Sequence, residues 1–132
     1  MNPHRFNHNR LTKLKATSDK FNLVIGVDFD FTLVDPLSNY ELYPDIVKLL
    51  QDAQSVGFAL CIWTSNSNQQ LVVSKWEEAK LTWDAYNDST IRLNSYTSKP
   101  HFNILLDDSA GLQQSIELLE DLIKYKKEQQ CH

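Results

Sequence analysis

From residue 21 onward, apolar and polar positions alternate between two periods. Residues 22–27 (NLVIGV) are a short apolar run, which reads as a buried strand. Over residues 44–56 the period changes. Ile46, Leu49, Leu50, Ala53 and Val56 recur every three or four positions, which places them on one face of a helix. Pro44 suits the first helical turn, where its missing N–H is harmless, and Gly57 stands where helices often stop. Residues 58–63 (FALCIW) are a second run of strand length. The polar stretch TSNSNQQ then offers N-cap residues for a helix over 68–80 that buries Val72, Trp76 and Ala79. Residues 82–86 (TWDAY) predict a weaker third strand, and residues 102–108 (FNILLDD) a fourth. A last helix runs from Ala110 to about Lys127, with Leu112, Ile116, Leu119 and Ile123 on its apolar face. Lys124, Lys126 and Lys127 form a basic, solvated end that suits the helix dipole.

Strands that alternate with helices pair in parallel, because each crossover returns the chain to the same edge. The expected fold is therefore α/β, a three-layer Rossmann-like sandwich with a mainly parallel sheet. The segments between Thr32 and Trp63, and between Thr64 and Lys99, are consumed by these elements, so no cap domain is expected. The chain has 132 residues, enough for one domain with a real core. No apolar run approaches the roughly 20 residues of a membrane span, and the first residues lack the apolar stretch of a secretory leader. These features set the expectation of a cytoplasmic protein with no membrane contact. Cys61 lies within an apolar run and Cys131 is next to last, which is neither a disulfide framework nor metal-ligand spacing.

Charge adds one feature. Residues 1–20 carry Arg5, Arg10, Lys13, Lys15 and Lys20 against Asp19, a balance of +4 in a chain of net charge −4. With no clear apolar period, residues 1–20 read as a flexible basic tail. The alternative is an arm that contacts the phosphates of nucleic acid. The domain then spans 21–127, and 128–132 form a C-terminal tail.

The polar residues at the strand ends carry the chemistry. Asp28 ends the first strand and Asp30 follows two residues later. Thr64 and Ser65 follow the second strand, and Asp107 and Asp108 end the fourth. In a parallel sheet all these ends share one edge, where open α/β folds bind ligands. Carboxylates gathered in one crevice repel one another and resist ionisation. A hard divalent cation relieves that conflict. Mg²⁺ takes a few carboxylates together with water and phosphate oxygens, so the acids suggest Mg²⁺ and a phosphorylated substrate.

Asp28-Phe29-Asp30-Phe31-Thr32, the stretch WTSN at 63–66, Lys99 and the stretch DDS at 107–109 resemble, in order, the four motifs of the haloacid dehalogenase-like superfamily. The resemblance covers residues 22 to about 112. It implies a phosphatase in which Asp28 is the nucleophile and a metal ligand. It makes Asp30 the general acid and base, with its backbone carbonyl on the metal. Thr64 would hold a phosphoryl oxygen, with Ser65 the alternative and Asn66 beside them in the substrate-binding stretch. Lys99 would offset negative charge, with Arg92 and Lys80 as lesser substitutes. Asp107 would ligate Mg²⁺, and Asp108 would do so directly or through water, the division between the two being open. Such folds often carry Gly where this chain has Phe31, so Phe31 is expected to shape the pocket mouth. Tyr40 and Tyr43 are expected to flank the crevice. Two alternatives stay open: a phosphatase that processes nucleic-acid ends, and a non-catalytic module that binds phosphate or protein. Monomer and homo-oligomer are both compatible, a second subunit being one way to cover a capless site.

Overall fold

The computed structural model describes residues 3–87 and 102–131, with side chains from residue 9. In chain order the elements are α1 (Pro3–Lys20), β1 (Val24–Val27), β2 (Val34–Asp35), β3 (Glu41–Leu42), α2 (Pro44–Ser55), β4 (Ala59–Ile62), α3 (Gln69–Glu78), β5 (Ala85–Tyr86), β6 (Ile104–Leu106) and α4 (Leu112–Gln130). A 3₁₀ turn, Pro36–Ser38, lies between β2 and β3.

Four strands form a parallel sheet in the order β5-β4-β1-β6, flanked by helices, as in a Rossmann-like sandwich. β1 lies inside the sheet and all four of its residues are buried. That position explains its unbroken apolar run, since a strand covered on both faces shows no alternation. Ile25 pairs with Leu60 and Ile104, and Val27 with Ile62 and Leu106. These rows join the buried faces of all four helices in one core that includes Leu14, Leu50, Trp76 and Leu119. Gly26 sits on the opposite face. A Cβ there would lie 2.8 Å from ring carbons of Phe102, so a side chain is excluded by close approach.

Local signals account for the helix ends. Pro44 occupies the first turn of α2. At its other end Gly57 takes φ +98, its N–H donates to the Gln54 carbonyl, and the Phe58 N–H donates to the Ala53 carbonyl. This pair of bonds is a Schellman stop. Asn68 caps α3 by accepting from the Leu71 N–H at 3.1 Å. The connection from β1 to β4 is used by the β2–β3 hairpin and α2, and the one from β4 to β5 by α3. Neither holds an inserted domain. Among the described residues, no helix is long and apolar enough to cross a membrane.

The expected flexible tail is corrected. Residues 3–20 are helical, and α1 docks on α4. Leu14 and Ser18 are buried and Leu11 partly so, a stripe spaced by three and four. Arg10 donates to the Asn103 carbonyl at 3.2 Å. Asp19 accepts from the Tyr125 hydroxyl at 2.9 Å and from Gln129 at 3.0 Å. Among the described side chains the stripe holds two apolar residues, Leu11 and Leu14, too few for periodicity to reveal it. Polar bonds to a distant helix supply the rest. Lys126, read as part of a solvated end, is also corrected. Its ammonium donates to the Ser18 carbonyl at 2.6 Å, satisfying an orphan acceptor at the end of α1. The domain therefore begins well before residue 21, and α4 extends past Lys127 to Gln130.

Candidate functional site

Because the sheet is parallel, the residues that follow β1, β4, β5 and β6 emerge along one edge. Backbone bonds carry the ladder one step further and fix their starting points. The Asp28 N–H donates to the Leu106 carbonyl at 2.9 Å, Trp63 N–H to Val27 at 2.9 Å, and Asn87 N–H to Ile62 at 2.7 Å. Asp28 thus stands on an interior strand, flanked by the ends of β4 and β6. That is the switch point at which such sheets form their crevice. Here the crevice is open, with a volume of about 400 Å³. Asp28, Asp107 and Asp108 line one part of it, and Trp63, Thr64, Ser65 and Asn87 another.

The acids converge as the strand ends imply. Asp28, Asp107 and Asp108 each offer a carboxylate oxygen within 4.8 Å of the others. Asp28 is pushed up to about 7. Burial is the largest cause, followed by a hydrogen bond to Asp108 that favours the protonated form and by the charge of Asp107. The Phe29 N–H opposes them. An all-oxygen cluster of this kind could hold a hard cation such as Mg²⁺. Asp107 is braced by the Ser109 hydroxyl at 2.8 Å and by the Ser109 N–H at 3.0 Å, both donating to one oxygen.

Thr32 ties two of the acids together. Its side chain is buried, and Oγ1 accepts from the Asp108 N–H at 3.0 Å. The same oxygen lies 3.5 Å from Asp28 Oδ2 and 3.4 Å from Asp108 Oδ1, longer contacts between which its single proton can choose. The loop that holds Thr32 is wound around Phe29, which is fully buried. The N–H groups of Thr32, Leu33 and Val34 all turn onto the Phe29 carbonyl, and the Phe31 N–H donates to Val34. Phe31 takes a left-handed backbone, φ 63, and is 45% exposed. That φ is one glycine adopts freely, so a phenylalanine there accepts backbone strain.

On the β4 side, Thr64 is nearly buried. Its N–H donates to Asn87 Oδ1 at 2.7 Å, and its Oγ1 accepts from the Asn66 N–H at 3.0 Å. The Thr64 hydroxyl proton therefore remains to be donated elsewhere. Asp30 does not line the crevice with Asp28. Its carboxylate lies beside it and accepts from Asn66 Nδ2 at 3.2 and 3.4 Å. Asn66, expected among the substrate contacts, thus faces Asp30. Ser65 is exposed on the crevice wall.

Lys99 and Arg92 lie outside the described residues. Lys80 follows the C-terminal end of α3, which carries the chain back to the opposite edge of the sheet, so it is no substitute for Lys99. Tyr40 stacks on Phe29 with ring centroids 6.5 Å apart, and it packs against the core. Tyr43 is also partly buried. Its phenol is pushed up by burial and by the charges of Asp35 and Asp108. Trp63 packs edge to face on Phe102 at 5.5 Å. Asn87 and Thr32 are the two residues whose structural roles the pattern concealed. For Asn87 the available signal was its place directly after a strand, the rule that singled out Asp28, Thr64 and Asp107. Asn also tolerates the left-handed φ of 52 found there.

No protein-family model matches the chain, and no curated protein does. A solved structure, that of a conserved protein coded by a locus from Bacteroides thetaiotaomicron, is similar over 80% of this chain and 93% of its own length. The TM-score is 0.60 and the sequence identity 23%. At that identity the likeness concerns the fold alone.

Proposed function

We propose that the chain is a Mg²⁺-dependent phosphomonoester hydrolase that works through an aspartyl phosphate on Asp28. The observation that supports this reading best is the convergence of the Asp28, Asp107 and Asp108 carboxylates within 4.8 Å, with Thr64 lining the same open crevice. The order of motifs that resembles the haloacid dehalogenase-like superfamily supports it too.

Asp28, Asp107 and Asp108 would hold Mg²⁺, joined by the Asp30 backbone carbonyl as the resemblance implies. When bound, Mg²⁺ neutralises the carboxylates and polarises the phosphoryl group. The chain's own residues do the rest. Left alone, Asp28 keeps its proton up to about pH 7, so it needs charge relief to act as a nucleophile. Its ionised oxygen attacks phosphorus, and the P–O bond to the leaving group breaks. Asp30 gives its proton to the departing oxygen. It then takes a proton from water, which attacks the phosphorus of the aspartyl phosphate and releases inorganic phosphate and the Asp28 carboxylate. The Thr64 hydroxyl, whose oxygen already accepts from Asn66, donates to a phosphoryl oxygen. The amides of Phe31 to Val34 are spent inside the loop. The Phe29 N–H already donates to the Asp28 carboxylate, so that of Asp30 is the one left near enough in sequence to serve the phosphate. Lys99 would compensate charge on the transferring group. The open crevice admits a bulky phosphorylated partner as readily as a small one.

The test is hydrolysis of an aryl phosphate with and without Mg²⁺, beside Asp28→Asn. Turnover that requires Mg²⁺ and disappears in the variant supports the mechanism. Turnover that survives the substitution overturns it, and an inactive wild type that still binds phosphate points to a non-catalytic module.

A further inference from the structure

Asp30 stands in a loop, and a general acid must be held within hydrogen-bond reach of the oxygen it protonates. Among the described residues, Asn66 is the side chain that holds the Asp30 carboxylate. The orientation of the Asn66 amide is fixed independently of Asp30. Its Oδ1 accepts from the Asn68 N–H at 2.8 Å, so its Nδ2 edge is the one turned to Asp30, at 3.2 and 3.4 Å from the two carboxylate oxygens. Asn68 is itself anchored, since it caps α3 through the Leu71 N–H. The Asn66 backbone N–H donates to Thr64 Oγ1. The first turn of α3 is thereby linked through Asn68 and Asn66 to Asp30, and Asn66 bonds both Asp30 and the crevice residue Thr64.

We infer that Asn66 is a positioning residue for Asp30, which sets where the proton is delivered to the leaving oxygen. The inference rests on reading the site as a phosphohydrolase. A neutral amide suits the task. It orients the carboxylate in both protonation states without adding charge to a crowded acidic site. Its donation is divided between two oxygens, so neither is withdrawn from proton transfer.

A positioning role has a signature that a general structural role lacks. A leaving group that is already a strong acid needs no proton, whereas an alkoxide does. The experiment measures kcat/KM with Mg²⁺ for dinitrophenyl phosphate and for an alkyl phosphate, in wild type, Asn66→Ala, Asn66→Asp, Asp30→Asn and the Asp30→Asn/Asn66→Ala double variant. Asn66→Asp is isosteric and keeps the acceptor for Asn68 while removing the donor, so it guards against misfolding of the alanine variant. Since general acids contribute roughly 10²–10⁴-fold, we expect either substitution to lower the alkyl-to-dinitrophenyl ratio by about 10-fold or more. In the Asp30→Asn background, Asn66→Ala should lower that ratio no further, because both changes remove one function. Equal losses on both substrates, or additive losses in the double variant, would overturn the inference while leaving the phosphohydrolase reading intact. A wild type without Mg²⁺-dependent turnover would sink both.

Discussion

Replacing Asp28 with asparagine removes a charge from the most crowded part of the crevice, and the cost of that charge can be worked out. The Asp28 carboxyl is raised from 3.8 to about 7 by burial and its acidic neighbours. The folded chain therefore keeps a proton that the unfolded chain has lost. The penalty on folding is absent below about pH 4, grows as pH rises, and is complete above about pH 7. About three pK units at about 1.4 kcal/mol each would amount to roughly 4 kcal/mol. The crevice is open, however, and solvent screening reduces this to about 1–2 kcal/mol. In the presence of a chelator, Asp28→Asn should match wild type near pH 4 and exceed it by about 1–2 kcal/mol near pH 8, or roughly 3–8 °C in Tm. Urea unfolding at the two pH values measures the difference. Adding Mg²⁺ at the higher pH should stabilise wild type more than the variant, because a cation that binds the folded site relieves the same repulsion. Parallel pH profiles for the two proteins would refute the electrostatic account of the cluster.

Three further outcomes follow from the packing. Thr32→Val keeps the shape but strands the Asp108 N–H, and should cost about 1–3 kcal/mol in denaturant unfolding. Leu14→Ala should cost about 2 kcal/mol and lower hydrogen-exchange protection over residues 9–20, whereas a free tail would show no protection to lose. Phe31→Gly should leave stability unchanged or raise it by up to about 1 kcal/mol, since it relieves a left-handed phenylalanine that is 45% exposed, and a thermal melt reads this directly.

Much of this protein can be read along the chain, because the signals involved are local. The buried run of β1, the helical period of α2, the Pro44 start, the Gly57 stop and the Asn68 cap each rest on a few neighbouring residues. The convergence of Asp28, Asp107 and Asp108 was legible for the same reason. Parallel strands put their ends on one edge whatever the detailed packing. Other features depend on partners far away in sequence. Helix α1 has too thin an apolar stripe to announce itself, and it is held by Arg10 to Asn103 and by Lys126 to Ser18, separations of 93 and 108 residues. The bond from the Asn66 amide to Asp30 spans 36 residues and has no local signal. The work of Asn87 emerges only once β5 is laid beside β4. Periodicity and strand-end chemistry report how a segment will fold and which edge its acids will reach. The direction in which an amide points, and whether a basic segment finds a helix to lie on, depend on contacts that exist only after the chain has closed upon itself.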